Sequence, residues 1–230
     1  MIAGAAGGLG SVASAAFAAA GANLALLGRD AGKLDELVSS LDIPANRVLA
    51  QACNVSSPEE VEAAVKAVVK TFKSLDVLVN LVGGRIGGKG VFDTETGEIK
   101  SMLDQHLFAS YTLIKSVVPQ MVEGKWGRVL SVSSPNASRP PGNNAPYAIG
   151  KAAMETLMLS LAAELKGTGV TANLILVRTI DTAHKRRINP SEENWNWTSP
   201  EEISATLLHL CSEEAGLING ARIPLYGEAY

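Results

Sequence analysis

The sequence is poor in the residues that build disulfide frameworks and metal sites. It contains only two cysteines, Cys53 and Cys211, which lie far apart, and its three histidines form no cluster. Both cysteines stand in apolar surroundings, so we interpret them as buried structural thiols rather than as a redox pair. The sequence therefore predicts no metal site and favours a reducing, cytoplasmic compartment.

Charge of one sign and long apolar runs are also scarce. The net charge is −3, and the longest basic tract is Lys185–Arg187, which we interpret as a solvated loop. The apolar stretches are interrupted by polar residues, and no signal peptide is visible. These absences argue against a nucleic-acid or membrane partner.

What the 230 residues do contain is enough apolar surface for one large core, because 47% are hydrophobic and 19% are charged. Short runs rich in Val, Ile and Leu are the strand candidates: Asn23–Leu27, Val48–Cys53, Val77–Asn80, Arg128–Val132, Thr171–Leu176 and Ala221–Leu225. They alternate with helical segments. The alternation predicts a single α/β domain over residues 1–230 with a doubly wound parallel sheet, whose ligands bind beyond the carboxyl ends of the strands.

The helix starts are marked by capping residues. Ser-Pro-Glu-Glu occurs at Ser57–Glu60 and again at Ser199–Glu202, which is a typical helix start. Another helix is predicted between Pro146 and Gly167. One face of that helix is predicted to carry Tyr147, Lys151, Met154, Met158, Leu161 and Leu165.

A glycine-rich stretch, AGAAGGLG at Ala3–Gly10, precedes a helix of small residues. Glycine lacks the Cβ that would keep a diphosphate away from the backbone, and the helix start offers free N–H groups. The second strand ends in Arg29, with no carboxylate before Asp30. A guanidinium at this place favours a 2′-phosphate, so we expect NADP(H) rather than NAD(H). Two alternatives are a glycine turn without a ligand and an Arg29 that only covers the turn.

Several motifs in order carry a family resemblance. The loop is similar to the pattern Thr-Gly-x3-Gly-x-Gly, with Ala3 in place of threonine, and Asn54-Val55 is similar to an Asp-Val pair beside the adenine. Asn80–Gly83 is similar to an Asn-Asn-Ala-Gly stretch, and Ser134 precedes a Tyr-x-x-x-Lys motif that begins at Tyr147. With these motifs the whole chain resembles the classical short-chain dehydrogenase/reductase family, and in particular 3-oxoacyl-carrier-protein reductase-like members.

The resemblance implies a Rossmann-type fold and a set of site residues. The catalytic residues it implies are Ser134, Tyr147, Lys151 and His106. The cofactor-binding residues it implies are Gly4, Gly8, Leu9, Gly10, Arg29, Asn54, Val55, Asn80, Gly83, Tyr147, Lys151, Ile180 and Thr182.

The chemistry of the tyrosine and the lysine follows from their spacing. Four residues apart on a helix, Tyr147 and Lys151 project from one face. The Lys151 ammonium, together with an oxidised nicotinamide when one is present, is expected to lower the pKa of the Tyr147 phenol, so that it exchanges a proton near neutral pH. Ser134 is expected to hydrogen-bond the substrate oxygen. We therefore predict hydride transfer between NADPH and a carbonyl or hydroxyl substrate. The alternative is an interface tyrosine beside a surface lysine.

The sequence departs from the family pattern in four places, one of which is the apolar pair Leu81-Val82 in the segment expected under the cofactor. His106 replaces an asparagine that holds a water; a neutral histidine can do the same, or it is a helix residue without a catalytic part. Val177-Arg178 replace Pro-Gly, and Arg178 either binds an acidic substrate or points outward. Only Met1 and Ile2 precede the glycine-rich stretch, so we expect a truncated first strand and a natural chain that begins several residues earlier.

These departures support a second hypothesis, a cofactor-binding homologue with weak or no catalysis that serves as a sensor, regulator or partner subunit. Under the first hypothesis, a short lid at about residues 182–198 leaves an open pocket for a small carbonyl or alcohol. Basic residues at its mouth, Arg85, Lys89 and Lys185–Arg187, favour an anionic or carrier-linked substrate. Apolar surface on two helices, as in the family, predicts a homodimer or homotetramer.

Overall fold

A computed structural model describes residues 1–227 and gives one parallel sheet in that part of the chain. Its strands are β1 (Ile2–Ala3), β2 (Leu24–Gly28), β3 (Val48–Ala52), β4 (Val77–Asn80), β5 (Gly127–Ser133), β6 (Val170–Leu176) and β7 (Arg222–Pro224). They lie in the order β3-β2-β1-β4-β5-β6-β7, and every neighbouring pair is parallel. The predicted doubly wound sheet is confirmed.

The helices connect these strands. They are α1 (Gly8–Ala19), α2 (Ala31–Ser40), α3 (Pro58–Phe72), α4 (Thr96–Leu103), α5 (Ala109–Glu123), α6 (Ala145–Glu164), α7 (Lys185–Ile188) and α8 (Pro200–Leu210). A π-helical turn, Asp104–Phe108, joins α4 to α5. Ser57 caps α3 and Ser199 caps α8, as the repeated Ser-Pro-Glu-Glu motif predicts. Within residues 1–227, no helix has the length and apolarity needed to cross a membrane.

Helices cover both faces of the sheet, so each face has its own core. Val129 and Leu174 point into the core under α3, α5 and α6, while Leu130 and Ile175 point into the core under α1 and α8. Because neighbouring residues of a central strand are buried on opposite faces, these strands read as continuous apolar runs rather than as alternating ones. Because of that pattern, the predicted strand ranges lie close to those in the structure.

The tyrosine helix α6 lies as its sequence pattern indicates. The residues of the predicted face from Lys151 to Leu165 are buried, and Tyr147 at its start is partly exposed. On the outer side Ile149 and Leu159 are exposed, as is Tyr111 on α5. These apolar residues lie on the helices expected to form an interface, and the homo-oligomer stays a prediction.

Strand β1 is short, as expected. It has two residues, yet it pairs with β2 on one side and β4 on the other. The Met1 nitrogen extends this pairing by donating to the Val77 carbonyl at 2.7 Å. A cavity of about 180 Å³ lies beside Met1, with Leu24, Ala25 and Val79 among its walls. The first strand therefore pairs with its neighbours only near the carboxyl ends of β2 and β4.

The turn between β1 and α1 leaves no space for a side chain at Gly10, which gives a stability prediction. A Cβ there would lie 2.5 Å from the Ala5 carbonyl oxygen and closer still to the Gly4 oxygen, both of which are backbone atoms. We expect Gly10→Ala to lower the free energy of unfolding by about 3 kcal/mol or more. The control is Gly97→Ala in α4, where a Cβ meets nothing within 4 Å. Urea unfolding that gives equal stabilities for the two variants would contradict this packing.

Candidate active site

A long cleft lies at the carboxyl ends of the parallel strands. Its two halves have cavity volumes of about 460 and 320 Å³. They share the walls formed by Gly4, Gly7 and Leu81–Gly83. The cleft therefore suits one elongated ligand that lies across the first strand, at the point where the direction of strand order reverses.

The glycine-rich stretch presents the start of α1 to the middle of this cleft. No side chain caps α1, and its first turn contains no acidic residue. Side chains do cap other helices, through Asp30 on α2, Ser57 on α3 and Ser199 on α8, and α4 begins with a capping box of Glu95 and Glu98. Since the first N–H groups of a helix need partners, the uncapped start of α1 fits a bound anion such as a diphosphate.

The smaller half of the cleft ends in two cations. Arg29 and Lys33 line it and are exposed. Asp30, between them in the sequence, is the N-cap of α2, because its carboxylate accepts a hydrogen bond from the backbone nitrogen of Lys33 at 3.1 Å. Asn54 and Val55 form the opposite wall. The one acidic residue among the described residues that line this half is thus bonded to the helix start, beside the positive charges of Arg29 and Lys33.

The larger half contains the predicted tyrosine and lysine. Lys151 is buried, and its ammonium donates to the Val132 carbonyl at 2.7 Å, which ties α6 to β5. Its Nζ lies 5.9 Å from the centre of the Tyr147 ring. Ser134, the first residue after β5, lies close to the Tyr147 phenol, and its hydroxyl accepts a hydrogen bond from the Asn136 backbone nitrogen at 3.3 Å. The structure brings the three side chains together as the motif spacing predicts.

Burial governs the protonation of this group. It raises the pKa of Tyr147, and the opposing effects of Ser134 and of the positive charge of Arg85 do not compensate. In the chain by itself the pKa of Tyr147 is therefore not lowered as expected, because desolvation outweighs the nearby charge; the contribution of an oxidised nicotinamide stays a prediction. Burial also lowers the pKa of Lys151 to about 8, against the negative charge of Glu155.

His106 faces the same group from the π-helical turn. Its ring is packed edge-on to Tyr147, with centres 5.7 Å apart, and it is buried. A Cβ at Gly83 would lie 2.5 Å from the ring, and one at Gly150 would lie 2.9 Å from it. The imidazole therefore occupies space that only two glycines leave free.

The hydrogen bonds of His106 fix its tautomer. Its Nε2 lies 3.0 Å from the Gly84 carbonyl, which only accepts, so Nε2 carries the hydrogen and Nδ1 is an acceptor. Nδ1 is buried and has no hydrogen-bond partner among residues 1–227. Burial, together with the charge of Lys151, lowers the pKa of His106 to about 3. The ring is therefore neutral at physiological pH.

A buried polar network behind Lys151 escaped the sequence analysis. Glu155 accepts a hydrogen bond from Ser133 at 2.6 Å and pairs with Arg222 on β7 at 2.7 Å. Glu155 lies four residues after Lys151, on the same helix face. That spacing was the available signal, but a glutamate on a helix usually reads as solvent-exposed.

The remaining predicted cofactor residues divide into two groups. The walls of the cleft include Gly8, Leu9, Gly10, Ile180 and Thr182. Asn80 does not line it, because its amide donates to Ser110 at 2.8 Å and its oxygen accepts from the Val82 nitrogen. Its side chain therefore shapes the turn after β4.

Comparisons with known proteins agree with this architecture. A family model described as short chain dehydrogenase matches residues 1–193. An uncharacterized oxidoreductase of Staphylococcus aureus (strain MW2) is 26% identical over 213 residues, which cover 93% of this chain and 90% of that protein.

Two solved structures are similar in fold. The 3-ketoacyl-(acyl-carrier-protein) reductase from Brucella melitensis complexed with NADH has a TM-score of 0.87 and 23% identity, with coverage of 97% of this chain and 94% of that one. NAD+-bound xylitol dehydrogenase has a TM-score of 0.88 and 21% identity, with coverage of 99% and 96%.

The depressed pKa of His106 predicts a pH dependence of stability. Between pH 6.5 and about 3 the unfolded chain binds a proton at this residue and the folded chain does not. The free energy of unfolding therefore falls as the pH drops through this window, by up to about 1.4 kcal/mol per pH unit from this residue. We expect His106→Asn to flatten the acid side of the profile in urea unfolding. His209→Asn, at an exposed histidine, is the control, and an unchanged slope in His106→Asn would contradict the prediction.

Proposed function

Because the chain belongs to the short-chain dehydrogenase family, we propose that it is an NADPH-dependent oxidoreductase that reduces a carbonyl group, with Tyr147 as the proton donor. The observation that carries this proposal is the meeting of Tyr147 and Lys151 in the larger half of the cleft, with Ser134 beside Tyr147 at the end of β5. The raised pKa of Tyr147 supports the direction of reaction, since the phenol keeps the proton that a reduced carbonyl oxygen needs.

The residues present fit a nicotinamide dinucleotide. The uncapped start of α1 would hold its diphosphate, and Arg29 with Lys33 would hold a 2′-phosphate. Lys151 would bind the nicotinamide ribose, as the family resemblance implies. The engagement of Asp30 as a helix cap supports the phosphorylated cofactor, since a carboxylate free to bind ribose hydroxyls favours NAD(H). When bound, the cofactor supplies the hydride.

The side chains around the substrate oxygen then act in different ways. Tyr147 donates its proton to the oxygen, and Ser134 donates a hydrogen bond to the negative charge that grows there. The Lys151 ammonium stabilises the phenolate left behind. His106 Nδ1, an acceptor without a partner, accepts a hydrogen bond from the water that returns a proton to the site.

The first test replaces the phenol. Tyr147→Phe removes the proton donor and keeps the ring, so we expect turnover of NADPH with para-nitrobenzaldehyde to fall by about 100-fold or more. NADPH binding, followed by nicotinamide fluorescence, should persist, because Lys151 and the glycine-rich stretch, which are also expected to bind the cofactor, are unchanged. Tyr111→Phe, on the outer surface of α5, is the control. Retained turnover in Tyr147→Phe refutes the assignment; a wild-type protein that binds NADPH but turns over no carbonyl favours the sensor or regulator.

The second test concerns the cofactor. Arg29→Ala removes a guanidinium that would form charge-assisted hydrogen bonds to a 2′-phosphate. We expect the Kd of NADPH to rise about tenfold or more, while the Kd of NADH changes by less than about twofold. NADH therefore serves as the control ligand on the same variant. Equal loss of both cofactors would mean that Arg29 only supports the turn.

A further inference from the structure

The end of the cleft next to Tyr147 is strongly cationic. Of the described residues that line its larger half, Arg85, Lys151 and Arg178 are basic and none is Asp or Glu. The chain as a whole carries a net charge of −3. Among the described residues, this part of the cleft therefore has basic lining residues without an acidic one, which favours an anion there.

The other basic residues expected near the substrate do not line this end of the cleft. Lys89 pairs with Glu98 at 3.0 Å, and Arg186 pairs with Glu202 at 2.5 Å. Neither Lys89 nor any residue of Lys185–Arg187 lines the larger half of the cleft. Of the basic residues expected at the opening of the pocket, only Arg85 lines the larger half of the cleft, together with Arg178.

Arg85 is the arginine held on the substrate side. Its Nη2 donates to the Asn144 side-chain oxygen at 3.4 Å, and Asn144 is buried three residues before Tyr147. The loop carrying Arg85 is fastened there by a hydrogen bond from the Gly88 nitrogen to the Asn143 carbonyl at 2.6 Å. The charge of Arg85 also acts on Tyr147, since it opposes the rise in its pKa. Arg85 is therefore close to the atom that would donate the proton.

The guanidinium of Arg85 still has capacity for a ligand. It has five N–H donors in a planar fork, and its contact with Asn144 uses one of its nitrogens. No carboxylate among residues 1–227 pairs with it, and the side chain is exposed to the cleft opening. Arg178 differs, because its guanidinium is stacked over the Tyr226 ring at 5.4 Å.

We propose that the cleft takes carbonyl compounds that carry a carboxylate, and that Arg85 is the specificity-determining residue that binds this carboxylate while the carbonyl lies at Tyr147. The planar fork of the guanidinium matches the two oxygens of a carboxylate. The substrate class rests on the proposed carbonyl reduction; the anion site itself does not require turnover.

A binding experiment tests the anion site without catalysis. Benzoate and its neutral analogue benzamide are titrated by calorimetry into the NADP+-loaded protein. We expect benzoate to bind at least about tenfold more tightly than benzamide, and Arg85→Gln to abolish that preference. Lys89→Gln is the matched control, since it removes one positive charge from the same loop at a residue already paired with Glu98. It should leave the preference unchanged.

Turnover gives the second arm. The ratio of kcat/KM for para-carboxybenzaldehyde to that for para-nitrobenzaldehyde should fall about tenfold in Arg85→Gln and stay constant in Lys89→Gln. Benzoate selectivity without any turnover would overturn the carbonyl reductase and support the anion site. Equal affinity for benzoate and benzamide in the wild type, or an Arg85→Gln variant that keeps the preference, would overturn the anion site. An Arg85→Gln variant that loses NADP+ binding would assign the arginine to the cofactor instead.

Discussion

The buried hydrogen bond from the Lys151 ammonium to the Val132 carbonyl is the contact on which the arrangement of the site depends. It joins the first turns of α6 to the end of β5, so it brings Tyr147 close to Ser134 although they come from different elements. A buried ammonium is costly without compensation. The carboxylate of Glu155, itself fastened by Ser133 and Arg222, supplies the compensating charge. The site is therefore stabilised by the buried network behind Lys151 as well as by contacts within the cleft.

Most of the fold could be predicted because its strands are buried on both faces. The candidate Val77–Asn80 matches β4, and the other five predicted strands agree with the structure to within one residue at each end. The π-helical turn at Asp104–Phe108 could not be predicted, because its side chains resemble those of an ordinary amphipathic helix. Its hydrogen-bond pattern accompanies the packing of His106 between Gly83 and Gly150, two glycines distant in sequence.

The site, like the fold, has features that the sequence predicts and features that only the three-dimensional structure shows. The helical period placed Tyr147 and Lys151 on one face, and the family resemblance placed Ser134 beside them. The protonation of Tyr147 was beyond the sequence, since it depends on how much water the folded chain removes from the phenol. The choice of Arg85 over Lys89 was equally hidden, because only the three-dimensional structure pairs Lys89 with Glu98. Local patterns thus located the groups, and tertiary packing set their charges.

The π-helical turn also affects how relatives of this chain should be compared. One extra residue in a helix rotates every later side chain by about 100° relative to those before it. Here α4 presents the Met102 backbone to Gly150, while Tyr111 on α5 faces outward. A homologue with one residue fewer between α4 and α5 would turn a different side chain toward Gly83, even if its sequence kept a histidine. The length of this segment, as much as the identity of residue 106, determines what stands beside the tyrosine.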